Sequence, residues 1–149
     1  MTTETPRREF LAAGVALGAA VMAGSATAQT PLPPKLSTHA LDTFSGKQAA
    51  GIRIDLFAID GEKRTLIKTV RADGDGRVEG NLLEGPTMKV GRYELLFYVA
   101  DYYRSVGVAQ SSPEFLDVVP IRVALFDATQ RYHVPLYFSP WSYLTYRGS

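Results

Sequence analysis

Apolar and polar residues alternate along most of the chain from residue 35 onward, in short runs separated by turn sequences. A period of two places successive side chains on opposite faces of a strand, and evenly spaced short strands are typical of β-sandwiches and β-barrels. The runs that carry this pattern are KLSTHALD, IRIDLFAI, RTLIKTV, RYELLFYV, PIRVALFD, RYHVPLYF and YLTYRG. We therefore predict an all-β sandwich or barrel of about seven or eight strands.

One segment departs from the alternation. ADYYRSVGVA, residues 100–109, follows the run RYELLFYV, which is apolar on both sides and is therefore predicted to be a central strand. The segment could hold a helix of about two turns, with Asp101 as its N-cap and Gly107 at its end.

The first 28 residues are typical of an export signal. Arg7 and Arg8 precede an apolar run over residues 10–23, and small residues follow at 26–28. The run is shorter than the ~20 residues that span a membrane, and the Arg-Arg-Glu-Phe-Leu sequence resembles a twin-arginine signal. We predict a signal peptide over residues 1–28, export to the periplasm, and no stable membrane anchor after cleavage.

The rest of the chain is predicted to be one domain. About 120 residues remain, which is enough for one hydrophobic core but not for two. Residues 29–34 form a proline-rich lead-in, and residues 35–149 form the domain. The chain has no cysteine, so it has neither disulfides nor a thiol nucleophile. Its formal net charge of +1 argues against a nucleic-acid partner.

Both histidines of the chain fall on the polar side of a predicted strand. In RYHVPLY the alternation places Tyr132 and Val134 on the core face and His133 on the outer face. His39 lies opposite Thr38 and Ala40 by the same alternation. An outward-facing histidine can be inert, or it can act as an acid or base near neutral pH. Spacing alone does not decide between these interpretations.

The sequence DGDGR, residues 73–77, is predicted to form a turn between strands. It lacks the third acidic residue and the final glutamate of a calcium-binding loop, so no metal site is predicted there. Arg77 begins the next extended segment and is expected to project from the end of the sheet.

The last two predicted strands form an antiparallel hairpin around the turn sequence SP. In the final strand Tyr146 faces one side, and Arg147 and Ser149 face the other. Directly opposed residues share a face of the sheet. A loop with an odd number of residues would therefore pair His133 with Arg147 or Ser149 and bring the chain end beside it. An even loop would pair His133 with Gly148, and the sequence leaves both registers open.

Three stretches resemble the 5-hydroxyisourate hydrolases, the transthyretin-like enzymes of urate breakdown. They are LSTHALDTFSGKQAAGI, DGDGR and YHVPL…SPWSYLTYRGS, and the resemblance runs from Lys35 to Ser149. It implies a transthyretin-like two-sheet β-sandwich of seven to eight strands with one short helix. It also implies a homotetramer whose active sites lie at the dimer–dimer interface. The implied reaction opens the ring of a small-molecule substrate, 5-hydroxyisourate, at a cyclic amide, with no metal or cofactor.

The resemblance also implies the site residues. The implied catalytic residues are His39, Arg77, His133 and Ser149, and the implied substrate-binding residues are Tyr146, Arg147 and Gly148. In this interpretation the histidines activate water and protonate the leaving nitrogen, and Arg77 stabilises the developing negative charge. Ser149 would hydrogen-bond the substrate or orient a histidine.

The chain departs from the family pattern at a few positions. Gln48 stands where the family usually has proline, and Tyr137, Phe138 and Trp141 are bulkier than the usual residues. Two other functions remain open from the residues alone. One is a non-enzymatic periplasmic carrier of a small ligand on the same architecture, and the other is a structural or adhesive β-sandwich.

Overall fold

A computed structural model describes Thr30 and residues 32–149, so the predicted signal peptide lies outside the described residues. Within these described residues, nine strands and one α-helix follow one another. They are β1 (Lys35–Asp42), β2 (Lys47–Gln48), β3 (Arg53–Asp60), β4 (Lys63–Arg71), β5 (Leu83–Glu84), β6 (Gly91–Phe97), α1 (Val99–Ser105), β7 (Val119–Leu125), β8 (Arg131–Phe138) and β9 (Tyr143–Thr145). No helix of the described residues is long and apolar enough to cross a membrane.

The strands form two sheets, which confirms the predicted all-β sandwich. One sheet has the order β2-β1-β8-β9, with β5 also paired to β1, and the other has the order β4-β3-β6-β7. Each predicted run contains a strand, and the count of nine exceeds the prediction because β2 and β5 have two residues each. The predicted central position of RYELLFYV is confirmed, since β6 lies between β3 and β7.

The core lies between the inner faces of the two sheets. Residues of β1 alternate between half-buried and buried, as their period of two predicts, and those of β8 do so except at the buried Pro135. The inner face of this sheet includes Leu36, Ala40 and Leu136, and the opposite sheet contributes Leu56 and Phe97, all with no exposed surface. Full burial of each such large side chain contributes about 1.5–3 kcal/mol. This burial fixes which face of β1 and of β8 points outward.

Helix α1 begins earlier than predicted. Its N-cap is Tyr98, and Asp101 lies within the first turn, where it pairs with Arg104. The prediction of Asp101 as N-cap is therefore wrong. The reason is packing, because Val99 is fully buried and the helix must start there to place it in the core. Gly107 ends the helix as predicted, in the left-handed region with a φ of 74°.

Asp42 connects the end of β1 by hydrogen bonds to α1 and to the loop that follows the strand. The carboxylate is 1% exposed and accepts hydrogen bonds from the Tyr103 hydroxyl at 2.6 Å, the Ser45 hydroxyl at 2.5 Å and the Phe44 amide at 2.9 Å. Burial alone would raise the pKa of Asp42, but the hydrogen bonds from Ser45 and Tyr103 outweigh it and lower the pKa. The buried charge is thus fully paired with donors.

Candidate active site

The two histidines come together on the outer face of the five-stranded sheet. β1 and β8 run parallel with Ser37 opposite His133 and His39 opposite Pro135, which makes the histidines diagonal neighbours. Their imidazole rings stack with centroids 5.8 Å apart and planes 15° from parallel. The predicted outward orientation of both side chains is confirmed, since both are half-buried while their strand neighbours fill the core.

The DGDGR turn forms as predicted and brings Arg77 next to His39. The Asp73 carboxylate accepts from the amides of Asp75 at 2.9 Å and Arg77 at 3.0 Å. The chain then pairs with β1, where Arg77 forms a β-bridge with His39. Gly76 is required at this approach, because its φ is +70° and a Cβ there would lie 2.4 Å from the Ala40 carbonyl oxygen.

Burial and neighbouring positive charge lower the pKa of both imidazoles. For His39, burial is the largest cause and Arg77 the next, while the Gln48 amide beside the ring acts in the opposite direction. For His133, burial is followed by the charges of His39, Arg77 and Lys35. Each imidazole is therefore less basic than a free histidine, and a first proton on the pair disfavours a second. In their neutral form the imidazoles are therefore available as proton acceptors.

Ser37 is a site residue that sequence reasoning missed. Its hydroxyl oxygen lies 3.0 Å from Nδ1 of His133 and also donates to the Tyr132 carbonyl at 3.4 Å. Alternation places Ser37 on the same face as His39, which is the signal that could have found it. The pairing of β1 with β8 had to be known before Ser37 could be assigned to His133. Nδ1 of His39, by contrast, is buried without a hydrogen-bond partner among the described residues.

The C-terminal hairpin adopts the even register. Phe138 pairs with Tyr143, so the loop is the four residues Ser139–Ser142, and His133 pairs with Gly148. The Ser139 hydroxyl accepts from the Trp141 and Ser142 amides at 3.2 and 3.1 Å, which closes the loop at this length. The odd register, which would have paired His133 with Arg147 or Ser149, is wrong.

The even register divides the terminal residues between the two faces. Gly148 and Tyr146 share the face of His133. The Arg147 side chain lies on the other face, where it donates to Gln130 at 2.8 Å and its guanidinium lies 4.9 Å from the Tyr132 ring centre. Ser149 is exposed, and no hydrogen bond joins it to His133 in the described part of the chain. The structure thus brings His39, Arg77, His133, Tyr146 and Gly148 together, and it does not bring Arg147 and Ser149 to them within one chain.

Pro135 interrupts the pairing of β8 with β9 at the centre of the site. His133 and Gly148 exchange two backbone hydrogen bonds, of 3.1 and 2.7 Å. The antiparallel pattern would next join residue 135 to Tyr146, but proline has no amide hydrogen. The Pro135 carbonyl accepts instead from the Thr145 hydroxyl at 2.8 Å. Strand β9 accordingly ends at Thr145, and the tail returns to β8 only at Gly148.

Two further observations bear on ligands. The part of the chain that the structure describes contains no group of three or more His, Cys, Asp or Glu residues that could hold a metal ion. Gly148 keeps the tail close to the imidazole, since a Cβ at this position would lie 3.1 Å from the Cβ of His133.

Comparison with known proteins decides the family. Residues 36–148 match the family model described as the HIUase/Transthyretin family. The chain belongs to that family. It is 50% identical over 115 residues to 5-hydroxyisourate hydrolase 2 of Rhizobium meliloti (strain 1021), a match that covers 77% of this chain and 96% of that protein. The predicted resemblance is therefore confirmed.

Solved structures agree with this family. A crystal structure of (S)-allantoin synthase is 39% identical with a TM-score of 0.75, covering 78% of this chain and 44% of that one, so the chain spans less than half of that protein. Klebsiella pneumoniae 5-hydroxyisourate hydrolase matches with a TM-score of 0.63 at 24% identity, covering 78% of this chain and 99% of that one. The latter likeness shows the fold alone, and it confirms the predicted transthyretin-like sandwich.

The lowered histidine pKa values make stability depend on pH. Because both folded-state values lie below the ordinary 6.5, the unfolded chain binds protons at a higher pH than the folded chain does. Their contribution to stability is therefore complete above that value and is lost as the pH falls through the folded-state values. We expect the free energy of unfolding in urea to decline as the pH falls below about 6.5. The decline should be smaller in the double variant His39→Gln/His133→Gln.

The buried carboxylates do not contribute to this decline, because Asp and Glu side chains with depressed pKa values change the free energy of unfolding only below about pH 4. A double variant that keeps the full decline would show that other groups cause it.

Proposed function

We propose that the protein is a 5-hydroxyisourate hydrolase. It opens the ring of 5-hydroxyisourate at a cyclic amide bond to give 2-oxo-4-hydroxy-4-carboxy-5-ureidoimidazoline. The observation that carries the proposal is the stacked pair His39 and His133, which lies beside Arg77 on an outer face of the sandwich. The activity named for the Rhizobium meliloti relative supports the same reaction.

His133 is the general base that activates the attacking water. Its Nδ1 is next to the Ser37 hydroxyl, and that hydroxyl has the Tyr132 carbonyl as an acceptor for its own proton. A hydroxyl that donates to the carbonyl accepts from Nδ1–H, and the neutral imidazole then has its lone pair on Nε2. This arrangement gives the ring one tautomer and an available base, in the way that a hydrogen bond to one ring nitrogen commonly orients a catalytic histidine.

The proton taken from water returns to the leaving ring nitrogen through the imidazole pair. Water adds to the amide carbonyl, a tetrahedral oxyanion forms, and the C–N bond breaks as the nitrogen is protonated. Because the rings stack at 5.8 Å, a proton on one imidazole disfavours a proton on the other. Arg77 carries the charge that stabilises the oxyanion and also orients the carbonyl oxygens of the substrate.

The polar character of this face favours an enzyme over a carrier. A carrier of an apolar ligand would line its site with aliphatic and aromatic side chains. Here the centre of the face holds two titratable imidazoles with lowered pKa values and a nearby guanidinium. Such groups suit acid–base chemistry and would be costly to bury against an apolar ligand.

Replacement of the base tests the proposed function. We expect His133→Gln to lower kcat/KM for freshly generated 5-hydroxyisourate by about 10²–10⁴-fold, the usual contribution of a positioned acid or base. The decay of substrate absorbance measures the rate. Arg131→Gln is the matched control, because Arg131 lies two residues away on the same face of β8. Near-wild-type turnover by His133→Gln would refute the mechanism, and no turnover by the wild type would refute the function.

The protein assembles, in our proposal, as a homotetramer whose neighbouring chains complete each site. Large apolar side chains remain exposed near the histidines, with Leu144 at 60% and Tyr146 at 50%. Phe44 and Trp141, both 54% exposed, also contact each other at the end of the same sheet, with ring centres 6.0 Å apart. Apolar surface of this kind is commonly covered by another subunit. Ser149, which does not contact His133 of its own chain, would then act in the site of a neighbour.

Subunit complementation tests this arrangement. His133→Gln and a deletion of Ser149 should each be nearly inactive alone, and the measurement is the activity of a co-expressed mixture. If a site takes His133 from one chain and Ser149 from another, random pairing leaves about a quarter of the sites intact. We therefore expect about a quarter of wild-type activity. A mixture as inactive as its components would show that Ser149 does not act across subunits, and full activity of the deletion would show that Ser149 has no role.

We also propose that the protein is exported to the periplasm. The support is the sequence of residues 1–28 alone, with its arginine pair, short apolar run and small residues before the expected cleavage point. Cleavage after Ala28 would leave Gln29 as the first residue of the mature chain. N-terminal sequencing of protein from the periplasmic fraction should identify Gln29, whereas an intact Met1 there would contradict the proposal.

A further inference from the structure

Tyr137 lies at the centre of a row of rings on the outer face of the five-stranded sheet. Across the strands it is opposite Leu41 of β1 and Leu144 of β9. Its ring meets the His39 imidazole edge-on, with centroids 6.0 Å apart and planes at 82°. On its other side it stacks with the Tyr146 ring, at 6.2 Å and 21°. Tyr137 thus contacts both the imidazole pair and the Tyr146 ring of the C-terminal tail.

These rings lie around Pro135 on the outer face of the sheet. Pro135 is opposite His39 in β1, and the register of β9 brings Tyr146 beside it on the other side. His133 and Tyr137 lie two residues before and after Pro135 on the same face of β8. The compact side chain of Pro135, which is buried, is therefore flanked by four planar side chains on this face. A flat heterocycle can stack on planar side chains of this kind.

Tyr146 depends on this contact because backbone pairing with β8 does not hold it. Pro135 cannot donate to Tyr146, so the tail is unpaired between Thr145 and Gly148. Tyr146 is also 50% exposed, so little packing restrains its ring apart from the stack on Tyr137. The neighbouring Tyr146 side chain also raises the pKa of Tyr137.

Ring contacts also hold the His39 imidazole. Its Nδ1 has no hydrogen-bond partner among the described residues, whereas His133 is held by Ser37. Apart from the Gln48 side chain beside it, the His39 ring is therefore oriented by the two rings that contact it, His133 on its face and Tyr137 at its side. Edge-to-face and stacked contacts of this kind contribute about 0.5–1.5 kcal/mol each, which is enough to favour one ring orientation.

We propose that Tyr137 is a further positioning residue of this site, which holds the His39 imidazole against His133 and holds the Tyr146 ring as a wall for a planar substrate. The kinetic part of this role rests on the proposed hydrolase function. The contact itself does not, and it can be measured without turnover.

Two substitutions separate the two contacts. Tyr137→Leu removes the ring, and therefore both contacts, while it keeps an apolar residue on the strand. Tyr137→Phe keeps the ring beside His39 and removes only the hydroxyl that meets Tyr146. Tyr143→Leu is the control, because Tyr143 is a 47% exposed tyrosine of the same hairpin on the opposite face from Tyr146. Circular dichroism and thermal melting compare the folding of the variants.

The readouts are the NMR titration of the two histidines and the kinetics of 5-hydroxyisourate hydrolysis. Because the chain has two histidines, His39→Gln assigns both signals. In Tyr137→Leu we expect the His39 titration to move to higher pH, since the smaller leucine buries the imidazole less than the ring does. We also expect kcat to fall about tenfold as the imidazole loses its orientation. In Tyr137→Phe the titration should stay unchanged and KM should rise about threefold, as expected for the loss of one exposed hydrogen bond.

Tyr143→Leu should match the wild type in both measurements. Unchanged His39 titration and unchanged kcat in Tyr137→Leu would overturn the role of Tyr137. Equal losses in Tyr137→Leu and Tyr143→Leu would overturn it too, because they would reflect the stability of the hairpin. A wild-type protein without turnover would overturn the hydrolase proposal, and the titration would still decide whether Tyr137 orients His39.

Discussion

The parallel, in-register pairing of β1 with β8 is the constraint on which the candidate site depends. These strands are separated by the whole of the second sheet in sequence, yet they pair residue for residue over eight positions. A buried hydrogen bond of 2.6 Å from the Thr38 hydroxyl to the Val134 carbonyl reinforces the register. A slip by one residue would turn either strand's apolar side chains to solvent, at a cost of several buried side chains. The packing of the core thereby holds the histidines together, although neither belongs to the core.

The two outer faces of the sandwich differ in how their charged side chains are paired. On the four-stranded sheet, the buried Glu94 is clamped by Arg64 and Arg122, each at 2.7 Å. Burial would raise the pKa of Glu94, but the two arginines outweigh it and lower the pKa. On the five-stranded sheet, no carboxylate of the described residues forms an ion pair with Arg77 or with either histidine. The charge of Glu94 is thus neutralised by ion pairs within the fold, whereas Arg77 and the two histidines remain available to a substrate.

Much of this arrangement could be predicted from the sequence, because burial imposes a period of two on each strand. The bounds of β1 and β8 and the outward orientation of His39 and His133 follow from that period. What could not be predicted depends on contacts between distant segments. Ser37 became a partner of His133 only through strand pairing, and the start of α1 was set by the burial of Val99 rather than by the capping preference of Asp101. Each residue type has local conformational preferences, and tertiary contacts override these preferences where the two conflict.

The register of the C-terminal hairpin could not be predicted for a third reason, because it depends on the number of residues in the loop. With four residues in the loop, Tyr146 and Gly148 face the histidines and Arg147 faces away. One inserted or deleted residue in Ser139–Ser142 would exchange the two faces of the tail without altering any side chain. Loop lengths that differ by two residues would preserve the face of every terminal residue. Relatives that share this site should therefore tolerate sequence change in the loop far better than a change in its length by one, so the length itself is a functional property of the chain.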